Sequence, residues 1–348
     1  MRSNTGILNI LLLAVSVVGC VRLEPETVHS DGDRRIDFPT PLVGHITRTA
    51  TGGRTDYPES ETFGVFGLYY PAGDFSGWEN TPESSLYING AEFKYSNIDD
   101  STDGSGAWIS DPIYYWQKNG KMAFAAWSPY NAKDNGTLTY GSTGLSVDGF
   151  STGSNGDCDL MYSERVYDKS SSIGDNSKYD GIDIVFHHAL SSLRFKTAAS
   201  GSTAKIAVSR VVIWGLYREG DFNENVDENV SGSYVSSPEW TSLSDSYSKS
   251  DSLVVKGDGS MDAFIIPQEI SVDAKMKVYY TVRIGDSNPV PAVSQEIGLS
   301  GNKIHGTDTE IEEWKMATRY VYTLAFTDLY QIKFSVDVRD WCDSNVDD

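Results

Sequence analysis

An all-β chain is expected, built as two sandwiches in series, and three observations point there. Gly (32) and Tyr (20) are plentiful while Met (6) is scarce, the composition of extended strands joined by tight turns. Apolar residues recur at alternate positions over short stretches, and Asp/Gly/Asn/Ser clusters separate those stretches. Helical periodicity is nearly absent, with no heptads and no long repeat.

The chain is expected to begin with an export signal. One positive charge (Arg2) precedes the run Ile7–Val18, which is too short to span a bilayer core of roughly 30 Å as a permanent anchor. Small residues close the run, and Val17-Val18-Gly19-Cys20 fits the lipobox of bacterial lipoproteins. Residues 1–19 are therefore expected to be removed and Cys20 to carry lipid, placing the mature chain on the cell outer membrane. About 330 residues remain, enough for two domains with ordinary cores.

Residues 20–54 read as tether, first strand and loop. The polar stretch after Cys20 leads into residues 36–46, where Ile36 and Phe38 alternate with Asp37 and Leu42, Val43 and Ile46 follow. Pro39 and Pro41 cannot donate to a ladder, which predicts an edge strand or a poorly anchored one. Next comes a loop carrying Arg48 and Arg54, of the kind open to proteolysis.

The first domain is expected over 55–178. Strands are predicted at 63–70, 85–95, 108–116 and 121–128, the last with Met122, Phe124 and Ala126 on one face. A short apolar segment at 157–162 precedes the polar stretch 167–179, where the boundary is placed. The second domain, 179–348, opens with the alternating residues 182–186 and continues through 195. Further strands are predicted at 204–217, 260–267, 275–284, 320–326 and 330–341. Residues 221–252 read as a surface excursion or as short edge strands.

Charge and residue chemistry narrow the function. A formal net charge of −21 argues against nucleic acid as a partner. No Gly-x-Ser-x-Gly elbow, phosphate-binding glycine loop or HExxH is present, so no enzyme and no cofactor is expected. Cys158 and Cys342 are far apart in sequence and offer no zinc site. His187 and His188, adjacent on a strand, face opposite sides and cannot chelate together. Asp221–Asn229 is oxygen-rich but has Val226 where a calcium loop needs glycine, and Gly232 where it needs glutamate. No metal is expected. Trp78 and Trp240, placed in loops, are the candidates for glycan contact.

Several segments in this order resemble the fimbrillin family of the Bacteroidetes, the subunits and anchors of type V pili. They are Ile46-Thr47-Arg48, Phe63–Tyr69, Tyr115-Trp116, Met122–Pro129, Asp159–Tyr162, Ile184–Phe195, Tyr320–Leu324 and Phe334–Trp341. The resemblance implies two transthyretin-like, Greek-key sandwiches. It also implies a lipid-delivered pilus subunit or anchor serving adhesion, assembled by donor-strand exchange with other fimbrillin-family subunits. An arginine-specific protease would cut after Arg48 or Arg54 and release the strand at 36–46. Residues 330–341 would then have to serve as donor, unless the subunit does not donate. The competing expectation is a monomeric surface lipoprotein that binds glycan through Trp78 or Trp240. A host or bacterial surface ligand belongs to either picture.

Overall fold

In the computed structural model the described residues are 35–44, 54–71, 86–97, 106–117, 121–141, 143–169, 182–198, 204–228, 234–257, 261–326 and 332–341. Their regular secondary structure is almost entirely strand, and the one helical turn among them is the 3-10 segment Tyr130–Asp134.

The largest sheet has nine strands. From one margin it runs Thr55–Asp56, Leu42–Val43, Val185–His188, Met161–Ser163, Lys121–Ser128, Phe63–Tyr70, Leu86–Ser96 and Ala107–Ser110. Val166–Lys169 is a further partner of Lys121–Ser128. Alternation divides its side chains between two cores. Phe63, Val65, Met122, Phe124 and Ala126 pack on one face with Ile36, Phe38, Trp108, Ile184 and Phe186. Phe66, Leu68, Ala123, Ala125 and Trp127 point the other way, toward Val147, Phe150 and Phe222. Both faces are covered, so the central strands read as nearly unbroken apolar runs.

The second cover is a four-stranded sheet in the order Glu239–Ser246, Tyr217–Asn223, Gly144–Ser151 and Thr137–Gly141. Much of the expected excursion at 221–252 is thus strand, with Phe222 at its inner face fully buried. Two strands from beyond residue 179 lie here, and a third, Val185–His188, lies in the nine-stranded sheet.

Most of the remaining strands form a second sandwich. Met261–Ile265, Ser191–Thr197, Thr318–Phe326 and Ile332–Asp340 make one layer. Leu253–Lys256, Ala204–Trp214, Lys275–Ile284 and Val290–Val293 make the other, with Ile297–Gly298 alongside Lys275–Ile284. Leu193, Phe195, Val211, Ile213, Val278, Tyr280, Tyr320 and Tyr322 fill the space between them. Ser191–Thr197 and Thr318–Phe326 run parallel, while Ile332–Asp340 lies antiparallel at the layer's margin.

Candidate functional site: the segment that closes the first sheet

Residues 35–44 do not form one continuous strand. Near its start the segment joins the far margin of the nine-stranded sheet. Phe38 exchanges both backbone hydrogen bonds with Trp108, each 3.1 Å, and the Ile36 amide donates to the Tyr114 carbonyl at 2.8 Å. Pro39 and Pro41 follow, and the chain then enters the opposite margin. There Leu42 and Val43 run parallel to Val185 and Phe186 and antiparallel to Asp56 and Thr55. The Leu42 and Gly44 amides donate to the Ile184 and Phe186 carbonyls at 3.0 and 2.8 Å. One short segment therefore touches both margins, and main-chain hydrogen bonding runs round the sheet in a closed circuit. The prolines mark the crossing, where neither side needs an amide donor.

Burial supplies most of the hold. Ile36 and Phe38 have no exposed surface and Val43 very little. Phe38 lies edge-on to Phe93, Phe63 and Phe124, with centroids 5.0, 5.4 and 6.1 Å away. Three such side chains are worth roughly 5–8 kcal/mol of transfer free energy. The few main-chain bonds contribute about 1 kcal/mol each. Any chain taking this place must therefore bring apolar residues two apart, as Ile36 and Phe38 are.

The wall of the site includes residues that sequence reasoning did not single out. Tyr57 is buried against Phe186, Phe63 and Trp108 at 5.1, 5.6 and 5.8 Å. Its hydroxyl donates to the Thr62 carbonyl and lies 2.7 Å from the Ser128 hydroxyl. Burial raises the ionisation of that phenol well above its ordinary value. The His187 ring is buried, with Nδ1 3.1 Å from the Gly44 carbonyl and Nε2 3.0 Å from a Glu164 carboxylate oxygen. Gly44 is there because there is no room for more: a Cβ would sit 2.7 Å from Val185 Cγ1. The Tyr57 signal, one aromatic beside the arginine loop, was present in the sequence; the Glu164–His187 pair was not.

The expected site residues fare unevenly. Arg54 is exposed and immediately precedes Thr55–Asp56, so its peptide bond adjoins a paired strand. Cys20, Arg48 and Trp78 lie outside the described residues, as do His45, Ile46 and Cys342. Trp240, expected in a loop, lies in the strand Glu239–Ser246. Its ring packs on Phe222 and Phe150 and its indole N–H donates to the Ala189 carbonyl at 2.6 Å, so the side chain is tied into the core. His187 and His188 have different partners. The described acceptors of the oxygen-rich stretch at 221–224 are bonded internally. Asp221 accepts from the Gly149 amide, Asn223 from the Ser146 hydroxyl, and buried Glu224 from the Leu145 amide and the Ser236 hydroxyl. Among the described residues no group of three His, Cys, Asp or Glu side chains could hold a metal ion. The Cys158 thiol is free, and burial pushes it up to about 11.

What this geometry offers is a socket for an extended chain, with backbone partners at two margins and an aromatic floor. Comparison with known proteins places the chain in a family. No curated protein matches the chain. Among solved structures, a proposed cell adhesion protein from Bacteroides uniformis is 16% identical, with 90% of this chain and 99% of that one covered and a TM-score of 0.48. A fimbrial assembly protein from Parabacteroides distasonis is 11% identical over 88% and 98%, with a TM-score of 0.35. The C-terminally truncated tip fimbrial protein Mfa3 from Porphyromonas gingivalis is 9% identical over 88% and 100%, with a TM-score of 0.37. The fimbrillin-like family model matches residues 47–341, most of the sequence, and the chain belongs to that family.

Proposed function

We propose that the protein is a fimbrial subunit or pilus anchor serving adhesion, delivered to the outer membrane as a lipoprotein on Cys20 and assembled by donor-strand exchange. Membership of a fimbrial family supports a structural role rather than a catalytic one. The observation that carries the strand-exchange reading is the imbalance within residues 35–44. Two side chains are fully buried, yet only a two-residue ladder and isolated bridges hold the backbone. Such a segment can be replaced by another of the same pattern, in the manner of β-augmentation.

Proteolysis would start the exchange without breaking any of these contacts. The uncut segment is held at high effective concentration because it is covalently part of the same chain. An arginine-specific protease would remove that advantage, and a strand from another subunit could then compete on equal terms. Arg48 is the preferred cut. The bond after Arg54 leads directly into Thr55, which is paired with Val43, and a protease needs its substrate extended and free.

The acceptor role is better supported than the donor role. Ile332–Asp340 is paired over its whole length with Thr318–Phe326, and Trp341 beyond it is buried, so donating this strand means peeling it away. The test is to treat the purified precursor with an arginine-specific protease and add a synthetic peptide spanning residues 35–44. Release of the native segment and uptake of the peptide is the expected result. A body that is cut cleanly but neither loses the segment nor takes up peptide would defeat the proposal.

A further inference from the structure

The strand Val185–His188 touches both ends of the described chain, through adjacent histidines. His187 reaches the segment at 35–44. Its Nδ1 is 3.1 Å from the Gly44 carbonyl and its Nε2 3.0 Å from Glu164 Oε1. The same ring lies 5.7 Å from the Tyr162 ring, and the Arg54 stem flanks Gly44 on the same side. Next door, the Phe186 carbonyl accepts the Gly44 amide at 2.8 Å.

His188 reaches the other end. Its ring stacks flat on Trp341, with centroids 3.8 Å apart and planes within 3°. Its Nδ1 lies 2.9 Å from Asp159 Oδ2, an ion-pair distance whose angle falls short of a hydrogen bond. Trp341 is also stacked on Phe264 at 5.1 Å and faces the Arg319 guanidinium at 5.7 Å. Its amide donates to the Ala317 carbonyl, and the Ala317 amide to the Leu190 carbonyl, two residues beyond His188. Trp341 immediately follows the strand Ile332–Asp340.

We propose that Val185–His188 couples the two ends, so that loosening residues 35–44 releases the hold of His188 on Trp341 and frees the last strand. The two rings belong to consecutive residues of a four-residue strand, and both are nearly buried. Close-packed surroundings transmit a displacement at one ring to the other rather than absorbing it. The inference rests on the reading that the first segment leaves, but its test does not require cleavage.

Hydrogen exchange followed by mass spectrometry on the uncut full chain reads both ends at once. His187→Ala, and separately Glu164→Gln at an exposed side chain, should speed exchange in residues 35–44. Each should also speed exchange in Ile332–Trp341 by about 5-fold or more, the lower end of ordinary coupling between sites. Lys275–Ile284, in the other layer of the second sandwich, should not change. His188→Ala should speed exchange in Ile332–Trp341 alone and abolish the response to His187→Ala in the double variant. Faster exchange at 35–44 with an unchanged last strand overturns the coupling. No loosening of 35–44 in either variant overturns the latch and the coupling with it. Should His187→Ala unfold the control strand as well, the Glu164→Gln result decides by the same criteria. A protease that cuts but fails to release the segment would count against strand exchange and leave these results standing.

Discussion

The first and last described strands are held in opposite ways. Residues 35–44 have little ladder and much burial: Ile36 and Phe38 are wholly enclosed, while the regular pairing covers only Leu42 and Val43. Ile332–Asp340 has a long ladder and little burial. All nine residues pair with Thr318–Phe326, yet within the strand only Val336 is buried. Among the described residues its outer edge is met by the His305 amide, which donates to the Val336 carbonyl at 2.8 Å. The contrast shows that two terminal strands of one protein can resist removal by different physics. The first resists through its side chains and the last through its main chain.

The comparison can be broken most directly at Phe38. Phe38→Ala should cost about 3–5 kcal/mol, as expected for emptying a closed aromatic site, whereas Phe334→Ala on the last strand should cost about 1–2 kcal/mol. Denaturant unfolding of the two variants checks this, and equal losses would erase the distinction. Next in size is Gly44→Val. The added atoms collide with Val185, a crowding cost of about 1–3 kcal/mol. The expected sign is earlier release of the segment after proteolysis, read by the rate at which the N-terminal peptide appears.

A smaller effect is expected from Tyr57→Phe, which keeps the ring and removes the hydroxyl that meets Thr62 and Ser128. A loss of about 1 kcal/mol would confirm that the wall is held chiefly by packing. The smallest concerns Glu224, which contacts neither terminal strand and serves as a control. Burial raises its carboxyl above the ordinary range, with Arg165 opposing. A raised folded-state value means that the associated stability is fully present below the unfolded-state value and is lost as pH rises through the folded one. Glu224→Gln removes that titration, so the melting temperature of the unaltered protein should fall relative to the variant as pH rises, with segment release unchanged in both.

How much of this was legible beforehand depended on whether the signal was local. The buried strands Phe63–Tyr70 and Lys121–Ser128 announced themselves because both of their faces are apolar. Pro39 and Pro41 mark a break in regular pairing, but alternation alone could not reveal that they divide a segment serving two margins. Trp240 was misplaced because its neighbours in Glu239–Ser246 are mostly exposed and polar, which hides a strand pinned by one aromatic. The partners of His187 and Trp341 were out of reach, since Gly44 and His188 are brought to them only by the tertiary fold.

The closed circuit of main-chain bonding has a consequence for the molecule before assembly. Free strand margins are where secreted β proteins clump with their own copies. Here the same stretch of chain pairs with Trp108 at one margin and lies just inside Thr55–Asp56 at the other, so one segment ties the two sides of the nine-stranded sheet together. On the proposed assembly route, cutting that tie, and not the amount of protein accumulated, sets the moment of association.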